Sequence, residues 1–332
     1  MLGHVLTSAT RAPSVRSNSM LISHPMNPDD QSVVGEMRRL SAQRKGLSGK
    51  PDQRGVFDDL MNSRPAAAGV RYEAASVGGV SGWWCRLPDA RRDAVLLFFH
   101  GGGYAVGSAL AYRNFAGQIA AHTGLDVLVP EYRLAPEHPF PAATTDAAKV
   151  YAALAQQYAA VVVAGDSAGG GLALSLLGSR PEIAPRAVVA LSPWTDLTLT
   201  SESLQTRADA ELYLTRDGLR AAAGRYLNEH AAHDPRVSPL FGDLSSLPPV
   251  SIHVGDAEVL LDDSILYGER HPSCTVHVWE GMPHVFMSCV DTLRAAKLAL
   301  EEVGTFVREQ LEQRGKQPRS SLSEPVRERQ TG

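Results

Sequence analysis

The sequence predicts an α/β fold: a mostly parallel sheet of about eight strands, helices on both faces, and a helical cap. Three observations predict it. The apolar runs read as continuous Val/Leu/Ile segments rather than alternating ones, the mark of strands covered on both faces. Segments of helical spacing lie between several of them. One run, Ala159 to Ala164, stops at Gly165-Asp166-Ser167-Ala168-Gly169, a strand-to-helix turn with a serine at its apex.

Taken in order, residues 29–61 carry helical spacing (Val33, Val34, Met37, Leu40, then Val56, Leu60, Met61), broken at Gly46 to Pro51. This predicts two short amphipathic helices. From Val70 to Leu87 the period changes to two around Gly78-Gly79, which predicts a β-hairpin. Adjacent side chains of a strand point to opposite faces, so Trp83 and Trp84 are expected one in the core and one at the surface. Strands are then expected at Ala94–Phe99, Leu125–Val129, Ala159–Ala164, Ala187–Leu191, Val250–Val254 and Thr275–Trp279. Helices are expected at Tyr112–His122, Ala142–Gln157 and Gly170–Leu177. The interval Thr195 to Pro249 is too long for a simple crossover. Its helical pieces, Asp209–Leu214 and Asp217–Leu227, are expected to build a cap with the N-terminal helices over the edge where open α/β sheets bind ligands.

Composition narrows the function classes. The chain has 332 residues, 44% of them hydrophobic, and a net charge of −4. That suits one large α/β domain and offers no basic excess for nucleic acid or an anionic membrane. Three scattered cysteines (Cys85, Cys274, Cys289) make neither a disulfide framework nor a metal motif, and fit a reducing cytoplasm. No window approaches the ~20 apolar residues of a membrane span. Residues 1–25 carry no signal-peptide core and are expected to be disordered, with Met20 and Met26 as alternative starts. The expected organisation continues with cap helices at 26–65 and a catalytic domain at 66–312. The cap insertion falls at about 195–235, and a disordered tail at 313–332.

The chemistry centres on Ser167. A serine on so sharp a turn needs very small residues two before and two after it. The turn lifts Oγ clear of the sheet and points backbone N–H groups at the oxygen that Ser167 attacks. Directly after the Ala94–Phe99 strand stands His100-Gly101-Gly102-Gly103-Tyr104. Three consecutive glycines cost backbone entropy, and at a strand end upstream of an elbow serine they match an oxyanion loop.

A serine nucleophile needs a base and a group that orients it. Of eleven histidines, His284 alone follows the last strand and the turn Glu280-Gly281-Met282-Pro283, at the same sheet edge as Ser167. His253 and His277 fall inside strands, and His138 lies in a proline-rich loop. The acid belongs on the loop after Val250–Val254, where Asp256, Glu258, Asp262 and Asp263 compete. Spacing leaves all four open.

At this point the chain resembles the hormone-sensitive-lipase-like (bacterial family IV) esterases of the α/β-hydrolase superfamily. The likeness runs from about Ala94 to Phe286. It rests on the His100–Tyr104 run, on Glu131-Tyr132-Arg133-Leu134-Ala135-Pro136-Glu137 with His138-Pro139-Phe140-Pro141, on Gly165–Gly170, and on Gly281-Met282-Pro283-His284-Val285-Phe286. It implies the α/β-hydrolase fold and a triad of Ser167, Glu258 and His284. It also implies an oxyanion hole built from Gly102, Gly103 and Ala168. Glu258 is the implied acid because Glu258-x-Leu260-x-Asp262 matches the family's acid motif, with Glu replacing the usual Asp. Two departures stand out: Glu131 where the family has Asp, and a short Tyr267–Cys274 segment before the last strand. The Glu131–Glu137 block is read as structural, with Arg133 and Glu137 as buried or half-buried ion partners.

The function expected is hydrolysis of short- to medium-chain carboxylic esters through an acyl-enzyme, with no metal or organic cofactor. A lactonase or an aryl or phthalate ester hydrolase would use the same chemistry. A ligand-binding receptor on this fold would have a broken triad. The expected partner is a small-molecule ester, with neither nucleic acid nor membrane. The resemblance suggests a homodimer formed through the last strand or its flanking helix.

Overall fold

The structure is a computed structural model that describes residues 20–44 and 53–313. The expected tail at 313–332 lies outside the described residues apart from Gln313, and so do residues 1–19. The sheet has nine strands in the order β1-β9-β8-β7-β6-β4-β5-β3-β2. These are β1 (Met20–His24), β2 (Arg71–Val77), β3 (Val80–Arg86), β4 (Ala94–Phe99), β5 (Val127–Pro130), β6 (Ala160–Asp166), β7 (Ala187–Leu191), β8 (Val250–Gly255) and β9 (Cys274–Trp279). All neighbours are parallel except β2 with β3 and β3 with β5. The hairpin is therefore the antiparallel end of an otherwise parallel sheet.

The count corrects the expected eight, and the extra strand lies where disorder was expected. Met20–His24 pairs in parallel with Cys274–Trp279, Met20 opposite Thr275 and His24 opposite Trp279. Its five residues gain a ladder only from a partner some 250 positions away, which local patterning does not reveal. Histidines secure it. His24 stacks on Trp279 with ring centroids 3.8 Å apart, and its Nε2 lies 2.9 Å from His277 Nδ1. The outer edge of β9, one of the two places expected to serve a homodimer beside its flanking helix, is thus covered by this chain's own strand.

The helices are α1 (Pro28–Arg44), α2 (Gln53–Asn62), α3 (Ala109–Thr123), α4 (Ala142–Gln157), α5 (Ala168–Gly178), α6 (Ser203–Thr206), α7 (Arg216–Leu227), α8 (Leu261–Arg270) and α9 (Arg294–Gln313). Two apolar clusters lie on the two faces of the sheet. One holds residues of α4, α5, α8 and the β7–β8 insertion, the other residues of α1, α2, α3 and α9. The core strands β4 to β8 are buried almost throughout. Trp84 joins the first cluster and half-buried Trp83 the second, so the two point to opposite faces but neither is fully exposed.

The expected helix at Asp209–Leu214 is a series of turns and bends. Glu211 Oε1 accepts the N–H groups of Tyr213 and Leu214, at 2.8 and 3.2 Å, which caps the backbone locally in place of a helical ladder. The short segment before β9 is accommodated by α8. Gly268 sits so close to Val276 that a side chain there would meet it, and this lets the helix pack tightly on the strand. Arg133 grips Asp146 through Nε and Nη2, both at 2.8 Å, while Glu137 pairs with Arg54. Only Asp146 of these four is buried; the Arg133 and Glu137 side chains are 44% and 55% exposed. The ion pairs of this block thus lie at the surface, where buried or half-buried partners were expected.

Candidate active site

Every candidate residue sits at or beyond the C-terminal end of a parallel strand. Gly102 and Gly103 follow β4, Ser167 and Ala168 follow β6, Glu258 follows β8 and His284 follows β9. The elbow explains its own sequence. In-register pairing sets Gly165 beside Phe99. A Cβ on Gly169 would stand 2.6 Å from the Phe99 carbonyl carbon, and one on Gly165 would stand 2.8 Å from the Phe99 oxygen. Between these glycines Ser167 adopts φ 52°, ψ −122°, an unusual conformation for a serine. Three backbone hydrogen bonds hold it there: Ser167 N–H to Leu191 O, and Gly171 and Trp194 N–H to Ser167 O.

The structure brings the three expected side chains into one row. Ser167 Oγ lies 3.0 Å from His284 Nε2, and His284 Nδ1 lies 2.5 Å from Glu258 Oε2. Asp256, Asp262 and Asp263 do other work. Asp256 accepts Gly281 N–H, Asp262 accepts Ser203 N–H, and Asp263 accepts the N–H groups of Thr195 and Asp196. Glu258 is fully buried and its other oxygen, Oε1, accepts Gly255 N–H and Ser192 O–H, each at 2.7 Å. Ser192 Oγ in turn accepts Val285 N–H at 3.1 Å. One hydroxyl therefore ties the carboxylate to the residue after the imidazole.

Burial works to lower the pKa of His284. The charge and hydrogen bond of Glu258 outweigh it, with Glu211 and Asp166 adding, and the result is a pKa raised above 6.5. Such a row can take a proton from the hydroxyl and hold the imidazolium that forms.

The glycine loop is tied to the elbow. Asp166 Oδ1 accepts Gly101 N–H at 2.9 Å, and its Oδ2 accepts the Tyr112 hydroxyl at 3.0 Å. Burial pushes the Asp166 carboxyl up to about 7. Gly102 and Gly103 adopt φ of 112° and 60°, the left-handed side of the map that glycine enters freely. Among the described residues the N–H groups of Gly102, Gly103 and Ala168 donate to no protein acceptor. No group of three His, Cys, Asp or Glu side chains among the described residues is arranged to hold a metal ion.

Sequence reasoning missed Ser192, Asp166 and Glu211. The first two carry a signal, a polar residue at the C-terminal end of a central parallel strand. Glu211 carries none, because its contact with the loop after β8 exists only once the insertion has folded onto that loop.

Fold and site together define an α/β hydrolase, and residues 96–288, more than half of the chain, match the family described as an alpha/beta hydrolase fold. An esterase of Acinetobacter venetianus is 36% identical over 264 residues, covering 76% of this chain and 87% of the relative. An acetyl-hydrolase of Streptomyces hygroscopicus is 37% identical over 247 residues, covering 71% and 82%. The crystal structure of an esterase from the bacterial hormone-sensitive lipase family superposes with a TM-score of 0.78 at 35% identity, over 86% of this chain and 99% of the other. A hormone-sensitive lipase from a metagenome library gives 0.79 at 30% identity over the same shares. The chain belongs to the hormone-sensitive-lipase-like esterases, bacterial family IV, and is a carboxylic ester hydrolase. No helix among the described residues is long and apolar enough to cross a membrane.

Proposed function

We propose that the protein is a serine carboxylesterase of short- to medium-chain esters, acting through Ser167, His284 and Glu258. The observation that carries this is the row Oγ–Nε2 at 3.0 Å and Nδ1–Oε2 at 2.5 Å, with the acid buried. In the first step Ser167 Oγ attacks the ester carbonyl carbon while His284 Nε2 takes its proton. The carbonyl oxygen becomes an oxyanion, held by the N–H groups of Gly102, Gly103 and Ala168. Each such donor is worth about 3 kcal/mol in a comparable site. The intermediate collapses, the carbon–oxygen bond to the alcohol breaks, and His284 returns its proton to the leaving oxygen. Water then enters by the same route and releases the acid. Glu258 holds the imidazole in the required tautomer and stabilises its charged form.

The reading of small acyl groups is supported by the names of relatives. An ethyl acetate hydrolase of Pseudomonas putida is 33% identical over 215 residues. EstE5, 35% identical, was soaked with p-nitrophenyl butyrate. The segment between β7 and β8 is read as a cap, with α1 and α2. Ala222 of α7 lies over Gly103, and Ser41 of α1 donates to the Leu212 carbonyl.

The test is Ser167→Ala assayed with p-nitrophenyl esters of graded chain length. Turnover of the butyrate falls by at least about a thousandfold, and the wild-type rate declines toward long chains. Near-wild-type turnover by the variant would sink the triad; a maximum at long chains would sink the substrate class.

A further inference from the structure

Glu211 is a carboxylate in the β7–β8 insertion, 1% exposed, that the mechanism above does not use. It faces inward at the loop that carries Glu258. Its Oε2 accepts the N–H of Val259, the residue directly after Glu258, at 3.0 Å. The carbonyl of the same residue is held from the same insertion: Ser203 Oγ donates to Val259 O at 2.7 Å. Both backbone polar groups of Val259 are therefore gripped by two insertion side chains. Neither grip is loose. Glu211 is fixed by the N–H groups of Tyr213 and Leu214. Ser203 is fixed by its own N–H to Asp262 Oδ2 and by Asp262 N–H to its Oγ.

We propose that Glu211, with Ser203, positions the triad acid: the insertion clamps the peptide after Glu258 and so holds the carboxylate against His284. The proposal rests on the reading of Ser167, His284 and Glu258 as the triad. It makes the base complete only while the insertion is seated, since unseating it frees the Val259 peptide. An unclamped acid loop would leave substrate binding in place and slow proton transfer, because reacting groups displaced by ~1 Å lose about a hundredfold in rate. Glu211 also supplies charge. Three carboxylates from three elements act on the His284 imidazole: Glu258 after β8, Glu211 in the insertion, and Asp166 at the end of β6. Removing one of them makes the imidazolium easier to deprotonate.

The experiment is Glu211→Gln and Ser203→Ala in the full chain, beside Ser167→Ala, with p-nitrophenyl butyrate from pH 5 to 9. Glutamine keeps the size of Glu211 but not its charge or its second acceptor oxygen. It is expected to lower kcat roughly tenfold with KM within about twofold. It should also move the acid limb of kcat/KM down by about half a pH unit. Ser203→Ala should lower kcat about threefold and leave the limb in place. Glu211→Asp, which restores the charge, should return the limb toward wild type. A folded Glu211→Gln enzyme with wild-type kcat and an unmoved limb would overturn the clamp. If Glu211→Gln does not fold, wild-type kcat in Ser203→Ala would overturn it. If Ser167→Ala keeps its activity, the triad reading itself has failed; if it loses activity while Glu211→Gln does not, only the clamp has failed.

Discussion

Consider Ser192→Ala. The hydroxyl is fully buried and makes two bonds, one to Glu258 Oε1 at 2.7 Å and one from Val285 N–H at 3.1 Å. Alanine removes both and leaves no cavity larger than one oxygen. A hydrogen bond to a charged group contributes about 1.5–3 kcal/mol, and an orphaned buried N–H costs about 1–3 kcal/mol. Stability should therefore fall by roughly 3–5 kcal/mol, read from chemical unfolding. Part of this falls on the base. Gly255 N–H remains as a donor to Oε1, so the carboxylate stays in place but gains freedom about its longer side chain. We expect kcat to drop about 10- to 100-fold, equal to about 1.4–2.7 kcal/mol, with KM nearly unchanged. The decisive assay is the same substitution in a Glu258→Ala background. If Ser192 acts through the carboxylate, the second loss shrinks to near nothing there; equal losses in both backgrounds would refute the reasoning.

Two other outcomes can be checked directly. Gly169→Ala should lower kcat by about a hundredfold. Its methyl would force the elbow and the Phe99–His100 peptide apart by nearly an ångström, and activity within twofold of wild type would contradict this. Asp166→Asn should change the pH dependence of stability. Burial raises the Asp166 carboxyl in the folded protein to about 7 from an ordinary 3.8. Its favourable contribution is complete below the unfolded value and is lost as pH rises through about 7. The variant's melting temperature should therefore gain on wild type between pH 5 and 8, and parallel curves would count against the raised value.

What could be seen in the sequence follows the range of each interaction. The elbow and the glycine run are legible because their constraints are local: a turn with no room for side chains is written in consecutive small residues. The core strands are legible because burial on both faces leaves continuous apolar runs. His284 is legible from its place after the last strand. Glu258 was one of four carboxylates until the family likeness singled it out, because the choice depends on which side chain the folded loop turns inward. The contacts of Ser192 and Glu211 join residues far apart in the chain, and no spacing encodes them. Strand β1 failed for the same reason, since a five-residue edge strand has no pattern of its own. The Asp209–Leu214 helix failed because one side chain satisfied the backbone instead.

The pairing of β1 with β9 has a consequence for how the molecule comes into being. Of the described strands, the one nearest the N-terminus must wait for the one nearest the C-terminus. The same two segments meet again nearby: Asp30 takes the first N–H groups of α9, Glu280 N–H donates to His24 O, Met26 N–H donates to Glu280 Oε2, and Met26 packs against Gly281. That last contact abuts the turn that presents His284. During synthesis the Ser167 turn is made well before the His284 turn, and the latter packs in part on the N-terminal segment. On the triad proposed above, a nascent chain that has made Ser167 but not yet residues 274–284 is expected to be inactive, and so is a product truncated between them.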